Sequence, residues 1–467
     1  MDRRKLDERV AATLSPSAAS RLPVKERIMS ASLRRLLSDY GMLAVLLLLG
    51  LVFSGLTLEE QSTGDAAAAR RMAAAIRRDC PERPRVLVAV RNTPEDGLFA
   101  DALRRELDEA GAEVVDVVRG DPQAARASLE KIARSSGRLD AVAATQTTGS
   151  WLVFSELATD FPALGTPRIV VPTSHRWPNF LKSDNLLNIA NQIAVIAIMA
   201  IGMTMVIITG GIDLSVGSLA ALSAVLAARL IRDHAGGLEA SAGGMVMACA
   251  AAIVICGLVG GLSGALVTLC GIPPFIVTLA MMLVASGLAY IASAGQSIYQ
   301  IPESFIWLGR GADLFGLPNA VVLMLVLYGL AHVLMSRTVL GRYLYAVGGN
   351  REAARLSGVP VRRVLLFAYV ASGLLAGLGG VIMASQLKSG SPTYGTMYEL
   401  YVIAAVVVGG TALAGGEGKI LGTLIGAFII AVIQNGMNLT NIESYTQKVV
   451  LGLVILGAVL VDRLRHR

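Results

Sequence analysis

Residues 185–222 read NLLNIANQIAVIAIMAIGMTMVIITGGIDLSVGSLAAL, a long apolar run that breaks at Gly210–Gly211 and resumes after Asp213 and Ser215. Glycines let a backbone bend, and Asp and Ser accept hydrogen bonds from the free amides at the start of a helix. The pattern predicts two membrane helices joined by a polar break. An acidic residue between spans is costly and usually functional, so the break is a helix cap, part of a transport path, or both.

The composition agrees with a membrane protein. Of 467 residues, 54% are hydrophobic and only 16% are charged, against roughly 25% charged in soluble domains. Long apolar blocks exclude a disordered chain and argue against a soluble enzyme. Glycine rows at 257–264 and 373–380 permit close helix packing, within the chain or between two copies. Ten stretches approach the roughly 20 residues of a crossing: 41–58, 189–209, 216–231, 245–270, 275–294, 319–335, 361–384, 400–413, 420–434 and 446–461.

Basic residues indicate the orientation of these spans. Lys and Arg number nine in residues 1–39, six in 336–363 and three in the tail after 461. Positive residues flank spans on the cytoplasmic side, and ten crossings place all three regions on one side. Both termini are therefore expected in the cytoplasm, 59–180 outside it, and 41–58 as a retained first span rather than a cleaved signal peptide.

Residues 59–180 have a different pattern. Short apolar runs at 85–91, 113–118, 139–145 and 168–171 are typical of buried strands, and 98–110, 122–136 and 150–158 have helical spacing. Alternating strands and helices predict a parallel sheet covered by helices, a Rossmann-like α/β lobe. The Ala- and Arg-rich run 58–78 is expected to be a helical stalk. The 92–99 stretch is either a ligand-contacting loop or a solvated one.

Catalytic and metal-binding signatures are missing from the sequence. The four cysteines form no CxxC pair and no Cys/His cluster, so neither a zinc site nor a disulfide framework is expected. The fragment at Gly418–Lys419 lacks the rest of a phosphate-binding P-loop. We expect a chain that is no enzyme, needs no cofactor and does not itself bind or hydrolyse ATP.

The loop 336–363 predicts a small rigid helix. Gly348–Gly349–Asn350 is a turn signal, 352–356 favours a helix, and Gly358 with Pro360 ends it. Such a knob can fit a cleft on a partner and pass motion to the flanking spans. The alternative is a basic loop that touches anionic lipid.

GGIDLSVGS at 210–218, together with the blocks at 341–360 and 405–439, resembles the permease subunit of sugar-type ATP-binding-cassette (ABC) importers, the ribose/xylose/galactose permease family. The resemblance covers 34–58 weakly and 181–467 strongly. It leaves out 59–180, which in pattern resembles one lobe of a periplasmic sugar-binding protein. The implied organisation is a cytoplasmic segment 1–40, a first span 41–58, an extracytoplasmic α/β domain 59–180 and a permease domain 181–467.

The resemblance implies a multi-pass protein of the bacterial cytoplasmic membrane with three kinds of partner: ABC ATPase subunits, a second permease subunit and a periplasmic solute-binding protein. The lobe could bind ligand, dock the binding protein or be a remnant. The resemblance also implies that the 336–363 knob is the coupling helix that contacts the ATPase. The residues expected to form that coupling loop are Gly349, Asn350, Glu352, Ala353, Ala354 and Gly358.

Few charged residues lie in the candidate spans, which favours a neutral polar solute such as a sugar. Polar residues of the spans either line the path or bond neighbouring helices. An ion-coupled secondary transporter built on Asp213, and a membrane-anchored sensor built on 59–180, remain alternatives. The candidate path residues are Asn191, Gln192, Thr209, Asp213, Ser215, Gln434 and Asn435.

Overall fold

The chain is divided into two compact units. The computed structural model describes residues 41–62, 66–80, 83–135, 137–172 and 174–465, so the predicted segment 1–40 lies outside the described residues. One unit comprises Met1–Leu56 and Phe180–Arg467, and the other is Thr57–Asn179. Helix α1 (Gly41–Leu56) precedes the second unit in the chain.

Unit Thr57–Asn179 is an α/β structure. A two-stranded antiparallel sheet pairs its first and last strands, and a four-stranded parallel sheet has the order β3–β2–β4–β5. The parallel strands begin and end within two residues of the predicted ranges. The strands are β1 (Leu58–Ser62), β2 (Arg85–Val90), β3 (Glu113–Arg119), β4 (Ala141–Ala144), β5 (Arg168–Val170) and β6 (Ser174–Pro178).

Helices cover both faces of the parallel sheet. On one face Met72, Ile76 and Leu103 pack against alternate residues of β2, and on the other face Leu129 and Phe154 pack against the remaining ones. This two-sided burial explains why the strands are apolar throughout. The helices are α2 (Ala66–Asp79), α3 (Pro94–Glu109), α4 (Pro122–Arg134), α5 (Gln146–Gly149), α6 (Leu152–Ser155) and α7 (Leu157–Asp160).

Two expectations for this unit were wrong. The run 58–78 is no stalk, because 58–62 is a strand and the apolar face of α2 is buried against the sheet. Met72 and Ile76 supply that face among the alanines. The predicted helix 150–158 is broken into short turns, since its apolar residues fill gaps beside the sheet instead of forming one stripe.

The other unit is a helical bundle. Six of its described helices are long and apolar enough to cross a membrane. The candidates 41–58, 216–231, 400–413 and 446–461 also coincide with helices, but these are shorter or more polar, so a count of ten crossings stays a prediction. The helices are α8 (Ser183–Ile208), α9 (Val216–His234), α10 (Ala242–Leu269), α11 (Pro274–Ser293), α12 (Trp307–Arg310), α13 (Asn319–Arg337), α14 (Val339–Gly349), α15 (Arg351–Leu356), α16 (Val361–Leu387), α17 (Tyr398–Val408), α18 (Ile420–Leu439) and α19 (Ser444–Arg465).

Helix α8 is the centre of the bundle. In its most apolar window 89% of the residues are buried, against 28% for α10 and for α11. The exposed side chains of α10 and α11 are mostly large and apolar, as expected of a surface that faces lipid or another membrane chain.

Glycines join α10 to α16 inside the chain. A Cβ at Gly260 would overlap the carbonyl of Tyr369 and lie 3.1 Å from the Cα of Gly373, and one at Gly257 would lie 2.5 Å from Leu374. Backbones approach this closely only where side chains are small. Gly257, Gly260 and Gly373, which belong to the glycine-rich stretches 257–264 and 373–380, therefore allow two helices of the same chain to pack closely.

Candidate functional site

The predicted knob is a short helix with a built cap at each end. The Asn350 Oδ1 accepts a hydrogen bond of 2.9 Å from the Ala353 amide, which starts α15 immediately after α14. At the other end the Val359 amide donates to Ala354 O and the Gly358 amide to Arg355 O. This pair of bonds is a Schellman motif.

Gly358 is required by that motif. Its φ of +83° lies in the left-handed region, which costs an L-residue about 1–2 kcal/mol. The glycine therefore ends the helix after a single short turn and redirects the chain towards α16.

One side of α15 is anchored and the other is exposed. Ala354 is buried, whereas Leu356 is 78% exposed. The Arg355 guanidinium forms an ion pair with Glu352 and, by hydrogen bonding, holds the pKa of that carboxyl below its ordinary value. The knob thus presents an isolated apolar side chain beside a charged pair, a combination suited to contact with another protein.

The base of the knob packs on the end of α8. The Gly416 amide donates a 2.9 Å hydrogen bond to Ile208 O, and a Cβ at Gly348 would overlap that same carbonyl oxygen. The Tyr345 hydroxyl donates to Gly418 O at 2.8 Å. The helix before the knob is thereby locked to both the central helix and the loop that precedes α18.

The break between α8 and α9 is a closed hydrogen-bonded turn. The Asp213 carboxylate accepts bonds from the Ser215 amide (3.0 Å), the Ser215 hydroxyl (2.6 Å) and the Ser372 hydroxyl of α16 (2.7 Å). The Thr209 hydroxyl donates to Val206 O at 2.8 Å. Thr209, Asp213 and Ser215 are all buried, so in this conformation they join helices.

Tyr369 adds an unsatisfied polar atom to this turn. Its hydroxyl is buried and has no hydrogen-bond partner among the described residues, and a Cβ at Gly211 would lie 2.5 Å from it. Tyr369 and Ser372 are one turn apart on α16, and neither was predicted, because both are distant from Asp213 along the chain.

Two of the predicted path residues meet at a cavity. Gln192 of α8 and Gln434 of α18 line a cavity of about 250 Å³, together with Gln386 and Tyr398. Amide groups and one aromatic ring, set among aliphatic side chains, can hydrogen-bond a solute rich in hydroxyls. Gln386 was not predicted.

The remaining predicted path residues bond neighbouring segments. Asn435 and Asn185 exchange hydrogen bonds of 2.8 and 3.0 Å. The Asn191 Nδ2 donates to Gly309 O at 3.1 Å, while its Oδ1 is buried and has no partner in the part of the chain that the structure describes. Neither Asn191 nor Asn435 lines the glutamine cavity, and the Asp213 turn is separate from it.

Spanning helices, a buried polar break and a capped, exposed helix at one end of the bundle define a membrane transport subunit. A family model described as the permease component of a branched-chain amino acid transport system matches residues 185–459. The chain therefore belongs to this permease family, and it is a permease subunit of an ABC importer rather than an enzyme. The match begins after the Thr57–Asn179 unit.

Three relatives illustrate the similarity. The ribose import permease protein RbsC of Escherichia coli K12 is 45% identical over 289 residues, covering 61% of this chain and 87% of the relative. RbsC of Bacillus subtilis 168 is 43% identical over 304 residues, covering 65% and 92%. The L-arabinose transport system permease protein AraH of E. coli K12 is 39% identical over 293 residues, covering 62% and 86%. No solved structure gave a significant match.

Proposed function

We propose that this chain carries a neutral sugar across the bacterial cytoplasmic membrane. The observation that carries the proposal is the 45% identity across 87% of a ribose import permease. The glutamine cavity agrees, because its polar lining consists of the amides of Gln192, Gln386 and Gln434 and the hydroxyl of Tyr398. A branched-chain amino acid would instead call for groups that pair with both its charges.

The helix α15 is proposed to be the contact with the ATPase subunit. Its two caps make it rigid, and the Gly348 contact ties its base to the carbonyl of Ile208 on the central helix. A force that the ATPase applies to the exposed side of α15 would then move α8 and α16, because the rigid helix transmits it without unwinding. The residues proposed to form this coupling site are Gly349, Asn350, Glu352, Ala353, Ala354 and Gly358.

Transport is proposed to follow alternating access. Nucleotide binding to two ATPase subunits shifts the populations of outward- and inward-open states of a pair of permeases. In this scheme the path opens at the end of α8, and Thr209, Asp213 and Ser215 move away from α16 when it opens. The hydrogen bonds of Asn191 and Asn435 keep neighbouring segments together at the opposite end of the bundle.

The proposed topology follows the distribution of basic residues. Segment 1–40, the tail and the 336–363 loop lie in the cytoplasm, 41–58 is the first span, and 181–467 is the permease domain. The segment 59–180 is proposed to lie outside the cytoplasm, and its parallel strand order β3–β2–β4–β5 supports a lobe of Rossmann-like type. A periplasmic binding protein delivers the sugar at that side.

Uptake of radiolabelled D-ribose by cells that lack their own ribose permeases tests the function. Cells that express the chain with its ATPase and binding protein should accumulate ribose. Accumulation should cease when the catalytic site of the ATPase is inactivated and continue when a protonophore collapses the proton gradient while ATP is maintained. Uptake that follows the gradient would instead establish a secondary transporter, and binding without flux would establish a sensor.

A further inference from the structure

A second cavity lies between α9, α11 and the segment that leads into α17. It measures about 220 Å³ and combines apolar walls with a few polar groups. A cavity below the roughly 300–1,000 Å³ of drug-sized pockets suits a small ligand. The apolar walls include Met282, Leu283, Pro392 and Met397, and the polar groups are those of Ser218, Ser286, Tyr394, Thr396 and Glu399.

The carboxylate of Glu399 is the charged group of this cavity. It is half-buried and forms no ion pair among the described residues. It lies against the first turn of α9, where a Cβ at Gly217 would overlap Glu399 Oε2. The carboxylate thus lies close to the positive end of α9, where a negative charge is favoured. Gly217, within the GGIDLSVGS motif, leaves the room that this contact needs.

The cavity lies deep along the spanning helices. Ser286 is twelve residues into α11, about 18 Å along the helix axis, in a hydrocarbon layer about 30 Å thick. A carboxylate that faces lipid at such a depth is costly, and such residues normally line a water-filled path. The cavity is therefore expected to face water.

The backbone beside Glu399 is strained. Met397 has a φ of +69°, in the left-handed region that non-glycine residues seldom adopt. This residue immediately precedes α17, whose first residues place Tyr398 at the glutamine cavity and Glu399 at this one.

We propose that this Glu399 cavity is a solute-contact site of the translocation path, where a neutral polyhydroxylated solute donates hydrogen bonds to the carboxylate. The hydroxyls of Ser218 and Ser286 provide further bonds, and the methionines contact its C–H faces. The inference rests on the proposed function and adds the residues that recognise the sugar.

Thiol labelling tests whether the cavity faces water. In the full chain with its four native cysteines replaced by alanine, Ser286→Cys should react with a membrane-impermeant methanethiosulfonate, and D-ribose should slow the reaction. Leu258→Cys is the control, since Leu258 is 69% exposed on the apolar face of α10 and should not react. Labelling of Ser286→Cys no faster than that of Leu258→Cys, or labelling of Ser286→Cys that D-ribose does not slow, would overturn the assignment.

A second test keeps the native cysteines. Glu399→Gln retains the shape and replaces one carboxylate oxygen by an amide group, so the KM for D-ribose uptake by the complete transporter should rise about tenfold or more. Glu303→Gln is the matched control, because Glu303 pairs with Lys388 at an exposed position. A Glu399→Gln KM within about twofold of wild type would overturn the inference, as would a defect that follows Na⁺ concentration instead of the sugar. ATP-driven uptake by the wild type tests the proposed function independently of either result.

Discussion

Replacing Gly358 gives the sharpest test of the coupling helix. A Cβ at this position would meet no atom within 4 Å, so steric overlap contributes nothing and the left-handed backbone is the whole effect. An alanine at φ +83° costs about 1–2 kcal/mol, and each 1.4 kcal/mol changes an equilibrium about tenfold. The last turn of α15 should therefore open roughly ten times more often, and a β-branched residue such as valine should increase the effect further.

The assay is the ratio of ribose transported to ATP hydrolysed, measured with the complete transporter in proteoliposomes. Gly358→Ala should lower this ratio and Gly358→Val should lower it more, while both variants insert into the membrane at wild-type yield. Gly329→Ala is the matched control, because Gly329 of α13 also has open space around it, lacks a positive φ and lies outside the proposed coupling site. Wild-type coupling in Gly358→Val, or an equal loss in Gly329→Ala, would refute the reasoning.

Three further predictions follow from the contacts. Ser372→Ala removes a hydrogen bond to the buried Asp213 carboxylate, so thermal unfolding of the purified chain should show a loss of about 1–3 kcal/mol; an unchanged transition would contradict the role of this bond. Gln434→Leu removes an amide from the glutamine cavity and should raise the KM for ribose several-fold while basal ATP hydrolysis persists, and an unaltered KM would exclude this cavity from the path. Thr148→Val removes the 2.7 Å bond to Ala89 O, so hydrogen exchange in the full chain should accelerate at β2 and β4, whereas wild-type protection there would show that the bond contributes little.

The parts of the fold that depend on local signals could be predicted from the sequence. The turn signal at 348–350 and the Gly358 stop depend on neighbouring residues, and in the structure a hydrogen-bonded cap is present at each of these two places. The parallel strands were also recognisable, because a strand buried on both faces is apolar throughout. The 58–78 run was wrongly predicted to be a stalk, because alanines are as common on an exposed helix as on a helix face packed against a sheet.

The parts that depend on distant contacts could not be predicted. The hydroxyl of Ser372 bonds the Asp213 carboxylate across 159 residues, and no sequence pattern near either residue indicates this pair. The sequence left Asn435 as either a path residue or a helix–helix bond, because an amide on a spanning helix suits either role, and the structure shows its bond to Asn185. Glu399 was not among the predicted site residues, and its place beside Gly217 became visible only from the packing.

The most direct test of the account uses proteoliposomes that contain this chain alone and proteoliposomes that also contain its ATPase subunits. With binding protein and radiolabelled D-ribose on the proper side, only the vesicles with the ATPase and ATP should accumulate ribose against its gradient. Uphill accumulation by the chain alone, under any ion gradient, would contradict the conclusion that an ATPase partner drives this permease.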